Sequence, residues 1–130
     1  MLFRSAGQVI GVEVNRDAVR DAIANAKRNA ISNIYFHNAD AGEFMVEMAH
    51  DGAHADVVMM DPPRAGSDEA FLSSVVTLSP KRVVYISCNP QTLARDLDYL
   101  VAHGYRVQKI QPVDMFPHTS HTECVVSMTK

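Results

Sequence analysis

The chain has 130 residues, 47% of them hydrophobic and 21% charged, with a net charge of −3, which is the size of one domain and the composition of an ordinary globular protein. No apolar run approaches the ~18 residues of a transmembrane helix, and Met1-Leu2-Phe3-Arg4-Ser5 is not followed by the apolar core of a signal peptide. A net negative chain makes a poor self-sufficient nucleic-acid binder, because phosphate contacts dominate that affinity. A nucleic-acid enzyme with this charge needs a local basic patch or a second domain.

In chain order, Val9-Ile10-Gly11-Val12-Glu13-Val14 is a short apolar run and reads as a buried strand. Asn15 offers an N-cap, and Val19, Ala22, Ile23, Ala26 and Ala30 recur at helical spacing, which predicts a helix from Asp17 to Asn29. Asn33 to His37 reads as a second strand and Ala41 to His50 as a helix. Asp56-Val57-Val58-Met59-Met60-Asp61 is a third strand, stopped by Pro62-Pro63. Asp68 to Thr77 is helical, and Arg82 to Ser87 is a fourth strand. Asn89 and Pro90 form an N-cap and N1 pair; Leu93, Leu97, Leu100 and Val101 supply the apolar face of the next helix, which Gly104 stops. Strands near Tyr105 to Gln111 and Cys124 to Met128 have no helix between them and are expected to be antiparallel neighbours. Strands alternating with helices define an α/β, three-layer, mostly parallel sheet in one domain.

The chemistry gathers at strand ends. Cys88 follows a β-branched strand and precedes a helix N-terminus. In open α/β sheets ligands bind at that edge, and a helix N-terminus favours the thiolate, the nucleophilic form. Cys88 is therefore either a nucleophile or a small buried residue. In Asp61-Pro62-Pro63-Arg64 the prolines stiffen the loop, so the Asp61 carboxylate and Arg64 project from it; a plain turn has the same appearance. A related Asp-Pro-Pro-aromatic loop marks amino methyltransferases acting on adenine, but Arg64 stands where their stacking aromatic would be. Asp40 suits a ribose or amino-group contact, but by itself it reads first as an N-cap for the helix from Ala41. In Phe116-Pro117-His118-Thr119-Ser120-His121-Thr122-Glu123, metal binding by His118, His121 and Glu123 is the weaker reading, because the spacing is no standard zinc motif; no metal is expected. The alternatives are a loop that delivers Glu123 as a general base and a polar loop with one exposed Glu. Cys124 reads as a strand core residue. A disulfide between the two cysteines is open to the sequence, although the rest of the chain reads as a reducing, cytoplasmic protein.

Glu13 ends the first strand. In doubly wound nucleotide-binding folds an acidic residue at such a tip holds ribose hydroxyls, ~20 residues after a glycine-rich turn. Twelve residues precede Glu13 and include one glycine, Gly7, so that turn and its strand are expected to lie outside the chain, which reads as a fragment. The plain alternative for Glu13 is a carboxylate that caps the next helix.

Taken together, Gly11-Val12-Glu13, Asp61-Pro62-Pro63-Arg64-Ala65-Gly66, the run from Tyr85 through Ser87-Cys88-Asn89-Pro90 to Leu93-Ala94-Arg95-Asp96, and Asp114-Met115-Phe116-Pro117-His118-Thr119 with His121 and Glu123 resemble the SAM-dependent RNA uracil-5-methyltransferases. The 23S ribosomal RNA type is the nearer, and the transfer RNA type shares most of the motifs. The resemblance implies a Rossmann-like class I methyltransferase sheet with an antiparallel last strand, lacking its first strand. It implies Cys88 as the nucleophile that adds to carbon 6 of uracil and Glu123 as the base that removes the carbon 5 proton. Glu13, Asp40 and Asp61 would contact S-adenosyl-L-methionine, Asp40 standing where relatives also carry Asn. Arg64 and Asn89 fall on the substrate side. RNA is the implied partner, with no membrane. Upstream, relatives carry an RNA-binding barrel and, in many cases, an iron–sulfur cysteine set. The absent first strand would lie between the strands ending at Glu13 and Asp61, and the two open edges imply rearranged pairing or a homodimer, with weak or no SAM binding by this chain. An adenine or guanine amino methyltransferase and a non-catalytic methyltransferase-fold scaffold are the alternative readings.

Overall fold

The computed structural model describes residues 5–119 and 121–130, so the Met1–Arg4 stretch and Ser120 of the histidine-bearing segment lie outside it. Its elements run β1 (Val9–Glu13), α1 (Arg16–Arg28), β2 (Ile34–Asn38), α2 (Ala41–His50), β3 (Val57–Met60), α3 (Glu69–Leu78), β4 (Arg82–Ser87), α4 (Pro90–Ala102), β5 (Arg106–Val113) and β6 (Glu123–Thr129). The chain forms two compact units, one ending at Phe44 and the other beginning at Met45. None of its described helices is long and apolar enough to cross a membrane.

In the first unit β1 and β2 pair in parallel, from Val9 opposite Ile34 to Glu13 opposite Asn38. The close fit of the strands shows at Gly11, where an added Cβ would lie 2.8 Å from the Phe36 ring. Asn15 caps α1 as expected, its side chain accepting from the Asp17 and Ala18 amides. The strand is less buried than its apolar run suggests: Val9, Gly11 and Val12 are half-buried, and Ile10 and Glu13 are exposed. The cause is pairing on one edge only, since among the described residues β1 has β2 as its sole neighbour.

The second unit holds a four-stranded sheet in the order β3-β4-β6-β5. β3 and β4 are parallel, whereas β6 runs antiparallel to both β4 and β5, as the missing crossover helix before β6 requires. Alternation sets the core: Val83, Tyr85 and Ser87 on β4 and Cys124, Val126 and Met128 on β6 are buried and share one face. Leu72 and Val75 of α3 and Leu93 and Leu100 of α4 join that core. The apolar face of α4 differs from the expected one. Val101 is 47% exposed, while Asp96, fully buried, occupies the inner face between Leu93 and Leu100.

Asp96 is a polar anchor in this core. Its Oδ2 accepts from the Tyr85 hydroxyl at 2.6 Å. Burial, and next the Asp96 carboxylate, push the Tyr85 phenol above its usual value of 10.0. The folded protein therefore keeps a proton that the unfolded chain loses above about pH 10, so this contribution is complete below about pH 10 and is lost as pH rises beyond it. Tyr105, raised by burial, acts in the same direction. In urea denaturation, stability should fall above about pH 10, and Tyr85→Phe should flatten that fall by up to about 1.4 kcal/mol per pH unit.

Candidate active site

Three chemically distinct residues lie at one end of the second sheet. β3 and β4 are parallel, so Asp61 and Cys88, each the residue after its strand, emerge at the same edge. β6 runs the other way, so its first residue, Glu123, starts at that edge. The β4–β6 ladder runs from Arg82 opposite Thr129 to Ser87 opposite Cys124. Cys88 and Glu123 are each the next residue beyond that last pair, Cys88 lying at a bend. Both residues are half-buried, partly shielded from water and open to a ligand. Cys88 and Cys124 are both free thiols; Cys124 is buried, as a core residue should be.

The nucleophile candidate sits on a well-defined turn. Asn89 is the N-cap of α4, its side chain accepting from the Gln91 amide at 3.0 Å, with Pro90 in the first turn. Ser87 Oγ accepts from the Asn89 amide at 3.0 Å and donates to the Asn89 carbonyl. Both neighbours of Cys88 are thereby fixed.

The Asp61 carboxylate is exposed and has no hydrogen-bond or ionic partner among the described residues. Arg64 is tied at both ends. Its carbonyl accepts from Asn89 Nδ2 and Thr92 Oγ1, each at 3.1 Å. Its guanidinium lies 3.0 Å from His121 Nδ1; a guanidinium only donates, so the imidazole nitrogen accepts. This contact joins the Asp61–Arg64 loop to the segment that leads into Glu123. His118, a candidate in the weaker metal reading, adopts a left-handed φ of 66°, and no group of three potential metal ligands occurs among the described residues.

Glu13 and Asp40 belong to the first unit, at the carboxyl ends of β1 and β2. Each uses one oxygen for a helix start. Glu13 Oε1 accepts from the Asn15 amide at 2.7 Å, and Asp40 Oδ1 accepts from the amides of Gly42 and Glu43 at 2.8 and 3.1 Å. Both carboxylates are exposed. A carboxylate at a strand tip can accept hydrogen bonds from a ribose diol or an adenine amino group.

Arg95 and Asp96, which the sequence pattern alone gives no role, form a further group beside this site. The spacing of Asn89, Thr92, Arg95 and Asp96 puts four polar side chains on one stripe of α4, toward the loop at 64–67.

Parallel strands with helical crossovers, an antiparallel final strand, and reactive side chains at the carboxyl edge define a Rossmann-like class I methyltransferase fold. The structure resembles that of Pyrococcus abyssi tRNA (uracil-54, C5)-methyltransferase in complex with S-adenosyl-L-homocysteine, with a TM-score of 0.83 and 34% identity over 98% of this chain and 30% of that one. It also shares its fold with NSun6 from Pyrococcus horikoshii, with a TM-score of 0.72 at 16% identity, covering 95% of this chain and 41% of that one. The family model described as tRNA (Uracil-5-)-methyltransferase matches residues 1–130, and the chain belongs to that family. Among curated relatives, an uncharacterized RNA methyltransferase of Bacillus cereus is 48% identical over 99% of this chain and 28% of its own length. One from Listeria innocua is 46% identical over 98% of this chain and 28% of its own length. The chain thus spans little more than a quarter of these relatives.

Proposed function

We propose that this chain is the catalytic part of a longer, cytoplasmic enzyme that methylates carbon 5 of a uridine in RNA, 23S ribosomal RNA being the first expected substrate and transfer RNA the second. The observation that supports the reading is that a strand-end thiol and a carboxylate both lie one residue beyond the Ser87–Cys124 end of the β4–β6 ladder. Carbon 5 of uracil is a weak nucleophile, so direct methylation is slow. In the proposed reaction the Cys88 thiolate adds to carbon 6, and the electron pair of the 5,6 double bond makes carbon 5 nucleophilic. Bound S-adenosyl-L-methionine supplies an electrophilic sulfonium methyl group for that carbon. Glu123 then removes the carbon 5 proton, the pair re-forms the double bond, and the thiolate leaves from carbon 6. Two moderate barriers replace one high one.

Glu13, Asp40 and Asp61 are the proposed cofactor contacts. Arg64 and Asn89 flank the nucleophile on the RNA side. The target base has to leave its stack to reach Cys88, at a cost of a few kcal/mol unless it lies in a loop. The 130 residues include no glycine-rich turn, so the chain by itself is proposed to bind SAM weakly and to associate through the open edges of β1 and β3. The RNA-binding barrel and any iron–sulfur cluster that the resemblance implies are proposed for the remaining length of the protein. The deciding experiment incubates the longer protein and SAM with unmodified 23S ribosomal RNA and, separately, transfer RNA, followed by nucleoside mass spectrometry. The expected product is 5-methyluridine; methylated adenosine or guanosine in its place would overturn the reading.

A further inference from the structure

The loop that carries Asp61 and Arg64 has no regular secondary structure, yet α4 and its cap hold it at Arg64, Ala65 and Ser67. Asn89 and Thr92 hold the Arg64 carbonyl. Arg95 Nη2 donates to the carbonyls of Ala65 and Ser67 at 3.0 and 2.9 Å. Asp96 Oδ2 accepts from the Ser67 amide at 2.7 Å. Gly66, at φ +77°, lies so close to this network that an added Cβ would be 2.6 Å from Arg95 Nη2 and 2.8 Å from Asp96 Oδ2. All the partners lie on one stripe of α4, the helix whose N-cap follows the nucleophile candidate.

The pair is arranged for rigidity. Arg95 Nε and Nη2 lie 2.9 and 2.8 Å from Asp96 Oδ1, while the other Asp96 oxygen takes the Tyr85 hydroxyl and the Ser67 amide. Asp96 is fully buried, and a buried carboxylate is tolerated only with such complete pairing. Tyr85 belongs to β4, the strand that ends at Cys88. The network therefore measures the loop against the same strand and helix that position the thiol. Pro62 and Pro63 stiffen the short link back to Asp61.

We propose that Arg95 and Asp96 are positioning residues. They fix the Ala65–Ser67 part of that loop on α4, so that the cofactor-side carboxylate is held in register with Cys88, while the Arg64 carbonyl is held separately by Asn89 and Thr92. This rests on the proposed methyl-transfer reading for the roles of Asp61 and Cys88. The thiol itself is set by β4 and the Asn89 cap, neither of which needs Arg95. Loss of the latch should thus loosen the cofactor side and spare addition at carbon 6.

Two measurements on the longer protein separate these functions. Calorimetry gives SAM affinity. Release of tritium from carbon 5 of labelled uridine RNA, without SAM, reports reversible addition of the thiol, because the enolate exchanges its carbon 5 hydrogen with solvent. Arg95→Ala should weaken SAM binding about tenfold or more and leave the exchange rate within about twofold of wild type. Arg95→Lys keeps the charge but cannot span both carbonyls, and should fall between the two; it serves if the alanine variant does not fold. Unchanged SAM affinity overturns the proposal. Exchange and SAM binding lost in equal measure, with a lowered Tm, also overturn it, because that is the pattern of a purely structural residue. Absence of exchange in the wild type would instead defeat the Cys88 assignment, and the SAM titration would still decide the latch.

Discussion

Cys88→Ala, introduced into the longer protein, is expected to abolish covalent capture of 5-fluorouridine RNA and to lower methylation by at least about 10³-fold, since removal of a covalent nucleophile takes away the pathway rather than one contact. Fluorine at carbon 5 cannot leave as a cation, so after methylation the sulfur–carbon 6 bond persists and the complex survives denaturing electrophoresis. The variant should still fold, because Cys88 is half-buried at a strand end and its neighbours are fixed by Ser87 and Asn89. Cys124→Ala is the matched control. That thiol is buried in the core opposite Ser87, and its removal should leave the adduct intact. A Cys88→Ala protein that methylates at the normal rate would point to an amino methyltransferase. One whose RNA is unmodified both before and after the change would point to a scaffold.

The sequence made some parts of this arrangement legible and hid others, for physical reasons. Residues with local signals were readable. The span of α2 follows from its apolar pattern and flanking polar residues, that of β4 from its β-branched run, and the caps at Asn15 and Asn89 from side chains that bond amides two or three residues away. The antiparallel placement of β6 followed from the short connection to β5. Harder to read was whatever depends on partners far along the chain. Asp96 has the appearance of a solvent-facing residue in its own helix. What buries it is Tyr85 eleven positions earlier and Ser67 twenty-nine earlier. Val101 has the expected apolar character, yet it lies off the face that Leu93, Asp96 and Leu100 define. The apolar run of β1 suggested full burial, but pairing on one edge leaves Ile10 exposed.

The carboxylate candidates divide in the same way. Glu13 and Asp40 suit both a cofactor contact and a cap, and the structure realises the capping role through one oxygen of each. The two roles are compatible, because a carboxylate has two oxygens and about four acceptor positions. A capped carboxylate is also held in one rotamer, which suits a group that must meet a ligand without reordering. Asp61 is the contrasting case: it has no partner among the described residues, and its backbone is stiffened by the following prolines instead.

Glu123→Gln should produce the opposite phenotype to Cys88→Ala, and the contrast tests the assigned order of events. Glutamine keeps the size and hydrogen-bonding reach of glutamate but cannot take a proton. Addition of Cys88 and methyl transfer would proceed, whereas the carbon 5 proton would stay in place and the thiolate could not be expelled. Covalent RNA–protein complex should therefore accumulate on ordinary uridine RNA, and turnover should fall by about 10²–10⁴-fold, the usual contribution of a positioned base. The first turnover should remain close to wild type in a single-turnover assay of methyl incorporation, because the base acts after that step. Normal multiple turnover would remove Glu123 from the mechanism. Loss of both adduct and first turnover would mean that its main role is to place Cys88, across the ladder that pairs Ser87 with Cys124, rather than to carry the proton.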